Sequence, residues 1–129
     1  VASRVVKAMA KKGVTPSTAN VLILGLTFKE NCPDVRNTKV VDVVAELASY
    51  GGTVDVHDPW VDRDEASKEY GIDVVADPQK GAYDAVIIAV AHDEFRGLGA
   101  SGIRSFGKTE SVLYDIKYVL SADEVDDRL

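Results

Sequence analysis

The stretch Leu26 to Arg36 (LTFKENCPDVR) holds the side chains with most to offer chemically. It carries an ammonium at Lys29 and a guanidinium at Arg36, and leads into a segment with helical apolar spacing that starts near Asn37 and Thr38. A helix N-terminus presents unpaired N–H groups and partial positive charge, so two cations beside one make an anion site suited to phosphate or diphosphate. The alternative is a solvated pair in which Asp34 only meets Arg36. Exposed pairs of that kind contribute about 0–1 kcal/mol. The residues alone leave both readings open.

Other candidates are thinner. A dinucleotide fingerprint needs G-x-G-x-x-G after a strand. This chain offers Gly25, then Thr27, then Glu30, so two of the glycines are missing. Asp58 falls where a ribose-binding carboxylate would sit, but an Asp before Pro59 is commonly a turn former. Cys32 is the only cysteine. It excludes an internal disulfide and has no evident base beside it in sequence. His92 follows an apolar run and either lines the same crevice or is a loop histidine ahead of Asp93, a helix-cap type of residue. No Ser-His-Asp order, zinc spacing or Walker loop is present. No catalytic residue and no metal ligand is assigned.

These residues need elements to hold them. Residues 1–12 read as a helix, with Val5, Val6, Met9 and Ala10 at helical spacing and Lys7, Lys11 and Lys12 away from them. Val21–Leu24 is a continuous apolar run, as in a strand covered on both faces. Residues 38–50 are helical, with Val40, Val41, Val44, Leu47 and Ala48 on one face and Gly51-Gly52 at the end. Further strands are expected at Thr53–His57, Ile72–Val75, Ala85–Val90 and Val112–Tyr114. A short charged helix covers 62–70, and one or two helical turns lie within 93–106, broken by Gly97, Gly99 and Gly102. Strands alternating with helices predict an α/β class fold, doubly wound, with a mainly parallel five-stranded sheet and helices on both faces. The order 3-2-1-4-5 is the simplest with right-handed crossovers. In such a sheet, ligands bind at the carboxyl ends of the strands where the order reverses. That point falls beside the Leu26–Arg36 loop, the Ala91–Glu94 segment and the residues after Tyr114.

The 129 residues amount to one domain: a leading helix and linker (1–19), an α/β core (20–120) and an acidic tail (121–129), expected to be frayed. A net charge of −6 excludes a general nucleic-acid footprint. No apolar run approaches the roughly 18 residues of a membrane span. A cytoplasmic protein is expected. The first residue is Val1 rather than Met, which suggests a fragment, although Met removal also explains it.

Val21 to Val61, VLILGLTFKENCPDVRNTKVVDVVAELASYGGTVDVHDPWV, closely resembles the C-terminal domain of the UDP-glucose/GDP-mannose dehydrogenase family. The family pattern is an apolar strand, G-x-x-F-K, a later D-x-R, a helix, a strand and a D-P turn. It is met by Gly25, Phe28-Lys29, Asp34-Val35-Arg36 and Asp58-Pro59. DAVIIAVAHDEF (Asp84–Phe95) and LYDIK (Leu113–Lys117) are also similar. Within the family, the likeness leans toward enzymes oxidising N-acetylated UDP-sugars, such as a UDP-N-acetylhexosamine 6-dehydrogenase.

The resemblance implies oxidation of a nucleotide sugar's C6 alcohol to a uronic acid with NAD as oxidant, for polysaccharide precursor synthesis. It implies that NAD is bound mainly by a separate N-terminal domain, that the intact enzyme is a homodimer or larger, and that the catalytic cysteine lies upstream. Cys32 is not at that cysteine's position. By the same resemblance, Phe28, Lys29 and Lys117 are substrate-binding and Arg36 reaches the NAD. The chain then reads as the UDP-sugar-binding part of a dehydrogenase, inactive alone. Two other readings stand beside it: a self-standing NAD-binding module, which the missing glycines argue against, and a non-catalytic flavodoxin-like receiver or interaction domain. A receiver would need acidic residues where strand one instead ends in Gly-Leu-Thr-Phe-Lys.

Overall fold

A computed structural model describes all 129 residues. The order of elements is α1 (Ala2–Lys11), β1 (Asn20–Leu24), α2 (Val40–Ser49), β2 (Thr53–His57), α3 (Arg63–Tyr70), β3 (Tyr83–Ile88), α4 (Asp93–Arg104), β4 (Gly107–Asp115) and β5 (Asp127–Arg128). The five strands form one parallel sheet in the order β2-β1-β3-β4-β5.

The apolar run that nucleates the sheet is β1. Its side chains alternate between two cores, Val21 and Ile23 on one face, Leu22 and Leu24 on the other. The same division runs along β3, where Ala85 and Ile87 join the first core and Val86 and Ile88 the second. Helices α1, α2 and α3 cover the first face through Val5, Met9, Leu47 and Ala66. Helix α4 covers the second through Phe95 and Ile103. The sheet is therefore doubly wound, and its winding reverses between β1 and β3, paired in register from Val21–Ala85 to Leu24–Ile88.

Three expectations need correction in detail. The strand expected at Ile72–Val75 is reduced to a single bridge between Val74 and Val56. It keeps its place outside β2, but Ile72, Val74 and Val75 are only half buried, so just one side of the segment has apolar cover. With that segment reduced, the strands expected fourth and fifth are β3 and β4, and the central order 2-1-4-5 becomes β2-β1-β3-β4. The fifth strand comes from the tail, which is not frayed. Asp127 and Arg128 pair with Tyr114 and Asp115, and the tail's acidity anchors it: Asp126 meets Lys12 at 3.0 Å and Asp127 meets Arg4 at 2.8 Å. Finally, α4 is two helical pieces joined across a kink at Gly99 (φ 65°, ψ 179°), as expected of a glycine-broken segment, but Gly97 and Gly102 do not break it.

The leading helix packs firmly against this sheet. Ala2, Val5 and Met9 are buried, Val6 is partly so, and Ala10 is exposed.

Candidate functional site

The carboxyl ends of β1, β3 and β4 open onto a groove of about 280 Å³. Phe28, Thr38, Lys39, Val90, Ile116 and Lys117 are among the side chains that line it. Apolar walls and two ammonium groups converge where the sheet reverses its winding, the place where open α/β sheets bind ligands. Phe28 is 49% exposed, an unusual setting for a phenyl ring unless something covers it. Lys39 begins α2 as its N-cap residue, so its charge adds to the positive end of that helix.

The remaining candidates follow in a row. Phe28 is shared with a second hollow that contains Lys29, Cys32 and Asp34. Asp34 in turn is shared with a third, containing Arg36 and Glu65. Phe28 and Lys117 thus share one groove, Lys29 lies in the next hollow, and Arg36 one hollow further. Lys29 and Arg36 line adjoining hollows that have Asp34 in common. The Arg36 guanidinium is held on Asp34, donating through Nε and Nη2 at 3.0 and 3.1 Å. Those bonds hold the Asp34 carboxyl below the usual carboxylate range and raise Arg36. The Arg36 side chain remains 78% exposed.

The scaffold beneath the loop is a buried polar network. Asp58, just past β2, accepts from the N–H groups of Leu26 (2.7 Å) and Thr27 (3.1 Å) through Oδ2, and from those of Trp60 (2.7 Å) and Val61 (3.2 Å) through Oδ1. Burial pushes its pKa up. The bonds from His92 and the backbone outweigh that and hold it below the ordinary value, so Asp58 is ionised at neutral pH. Asp115, at the end of β4, does the same for the third loop, accepting from the N–H groups of Lys117 (3.1 Å) and Leu120 (2.8 Å). One strand-end carboxylate therefore shapes the Phe28 loop and another the Lys117 loop.

The geometry does not fit a dinucleotide held in the usual manner by this chain. Gly25 has φ 106°, and a Cβ there would lie 2.6 Å from Cβ of Val90. That glycine makes room for Val90, while the position where a fingerprint glycine lets the backbone approach a pyrophosphate is Thr27, its buried hydroxyl bonded to His92 and to the Lys29 carbonyl. The first turn therefore does not support the self-standing NAD-binding reading.

Sequence reasoning missed Lys39, Asp115 and the role of Asp58. Lys39 had a signal, being a cation next to the helix start at Thr38. Asp115 had one too, an Asp closing an apolar strand.

A doubly wound domain with a cationic, partly apolar groove at its switch point defines a nucleotide-type binding domain. The comparisons give the family: the chain belongs to the UDP-glucose/GDP-mannose dehydrogenase family, residues 22–122 matching its UDP binding domain. Across all its 129 residues it is 58% identical to the UDP-N-acetyl-D-glucosamine 6-dehydrogenase of Pseudomonas aeruginosa and 53% identical to that of Salmonella typhi. It spans 31% and 30% of those proteins' own lengths. A UDP-glucose dehydrogenase structure from the archaeon Pyrobaculum islandicum superimposes with a TM-score of 0.73 at 30% identity, covering 98% of this chain and 28% of that one.

Proposed function

We propose that this chain is the nucleotide-sugar-binding part of an NAD-dependent UDP-sugar 6-dehydrogenase that oxidises a C6 alcohol to a uronic acid. The observation that carries the reading is the groove in which Phe28 and Lys117 meet at the switch point. An ammonium against phosphate gains a charge-assisted hydrogen bond of about 1.5–3 kcal/mol, and an exposed phenyl ring gains cover from a base or sugar face. Lys29, in the adjoining hollow, contacts the same donor further along. Losing Lys29 weakens substrate binding by roughly tenfold or more in the intact enzyme. The 58% identity to a UDP-N-acetyl-D-glucosamine 6-dehydrogenase supports an N-acetylated UDP-hexosamine as the sugar.

Arg36 stands clear of the groove on an exposed rim, suited to reach NAD held by another part of the enzyme. NAD accepts the hydride in that reaction. This chain's share is to bind and orient the nucleotide sugar and to exclude water on closure. The reading assigns no catalytic residue to these 129 residues, so the chain alone turns nothing over. The intact enzyme is proposed to be cytoplasmic and at least a homodimer. No helix here is long and apolar enough to cross a membrane.

The test is a titration of the chain with UDP, and separately with NAD and Mg²⁺, followed by amide chemical shifts. UDP is expected to move the signals of Phe28, Lys39 and Lys117. A silent groove with UDP in the millimolar range overturns the reading. NAD-induced shifts at Gly25–Thr27 would revive the dinucleotide alternative, and a Mg²⁺ response among carboxylates the receiver one.

A further inference from the structure

His92 is fully buried and has no part in the reading above, yet every polar atom of its ring is engaged. The backbone N–H of Asn31 donates to Nδ1 at 2.9 Å. That nitrogen therefore accepts and carries no proton, which puts the ring proton on Nε2. Nε2–H lies 2.9 Å from Oδ2 of Asp58 and 3.1 Å from Oγ1 of Thr27. The Thr27 hydroxyl has its own hydrogen free and donates it to the carbonyl of Lys29 at 3.0 Å. The direction of each bond follows from its neighbour, from Asn31 through the ring to the backbone of Lys29.

The segment these bonds enclose is the one that carries Phe28 and Lys29. Its other backbone groups are also held: Leu26 and Thr27 donate to Asp58, and Phe28 N–H donates to the Asp34 carbonyl at 2.9 Å. Asn31 sits at φ 56°, a region asparagine tolerates better than most residues. Its side-chain oxygen accepts from Asp93 N–H at 2.9 Å, at the first residue of α4. That capping bond comes from the loop after β1, and His92, the N-cap residue of α4, supplies no side-chain cap of its own. The ring of His92 is wedged between Trp60 and Phe95, with centroids 6.3 and 5.5 Å away.

We propose that His92 is a positioning residue for nucleotide binding: through Asn31 and Thr27 it fixes the backbone of residues 27–31, so that Phe28 and Lys29 are presented ready-made rather than ordered at the moment of binding. This rests on the nucleotide-binding reading above. A loop already ordered avoids the entropy cost that a flexible one meets on association.

The test combines amide hydrogen exchange with UDP titration on the 129-residue chain. His92→Phe keeps an aromatic ring between Trp60 and Phe95 but removes both polar atoms. It is expected to speed exchange at Thr27, Phe28 and Asn31 by roughly tenfold or more, to leave Ile23 and Ile87 unchanged, and to weaken UDP binding by roughly tenfold. His92→Asn can restore the acceptor for Asn31, and His92→Gln the donor toward Asp58. Each is expected to recover protection on its own side and part of the affinity. Unchanged exchange in the loop overturns the proposal, and so does a loosened loop that binds UDP as tightly as the parent. If His92→Phe does not fold, the Asn and Gln pair decides: complementary patterns support the proposal, identical ones overturn it. Failure of the parent to bind UDP would sink the nucleotide reading, and the exchange data would still show whether His92 orders the loop.

Discussion

Replacing Asp58 by asparagine keeps the shape of a buried hub and changes only its hydrogen-bonding capacity. The native carboxylate accepts from four backbone N–H groups and His92. Asparagine has one accepting oxygen and one donating NH2. If the NH2 takes the place of Oδ2, it confronts Leu26, Thr27 and His92, all donors. If it takes the place of Oδ1, it confronts the N–H groups of Trp60 and Val61, which lie nearer solvent. The second arrangement costs less and leaves two donors short of an acceptor. At about 1–3 kcal/mol for each buried donor left unpaired, and with water reaching part of this side, the loss is about 2–4 kcal/mol. At about 4 °C per kcal/mol for a domain of this size, Tm falls by roughly 8–16 °C.

The pH dependence has a definite sign. The native carboxyl is held below its ordinary value of 3.8, so its contribution is complete above that pH and is lost as pH falls through the native value. Urea unfolding of parent and Asp58→Asn at pH 7 and in steps below pH 4 reads both effects. The parent should lose stability in acid along a component absent from the variant. A loss under about 0.5 kcal/mol at neutral pH, the scale of an ordinary surface change, refutes the hub argument. So does an identical acid slope in the two proteins.

Other perturbations separate groove from scaffold. Lys117→Met should weaken UDP binding by roughly tenfold, flatten its salt dependence and leave uridine binding unchanged, as calorimetry at two ionic strengths would show. Gly25→Ala meets Val90 at 2.6 Å from a backbone with φ 106°, so it should cost about 2–4 kcal/mol in denaturant unfolding. Tyr114→Phe removes a buried hydroxyl with no hydrogen-bond partner and should leave Tm unchanged or raise it by a few degrees in thermal melts.

Where a run of residues was apolar on both sides of the chain, its fate could be read directly. Val21–Leu24 and Ala85–Ile88 became central strands because continuous apolar stretches are stable only under cover on both faces. Ile72–Val75 had the composition of a strand but lies at the margin, where one face lacks a covering helix, and it kept a single bridge. The tail misled for the opposite reason. Its acidic residues looked solvated, but their partners, Arg4 and Lys12, come from the far end of the chain, and no local pattern announces such a pairing. The same limit applied to the site. Phe28 and Lys117 could be selected by motif, while Asp58 and His92 act on groups far away in sequence, at Leu26, Thr27 and Asn31, and Asp115 on N–H groups two and five residues on. The pairing of Asp34 with Arg36, two residues apart, was legible in the loop itself.

The margins of the sheet carry a further consequence. Outside β2 there is one bridge, and outside the long strand β4 only a two-residue partner. Further along β4, side chains occupy the backbone: the Asp126 carboxylate takes the N–H of Leu113 and Lys12 caps the carbonyl of Ser111. A foreign strand approaching that flank would have to displace charged groups before forming its first rung. Copies of this domain at high concentration should therefore resist fibril growth by edge-to-edge strand addition.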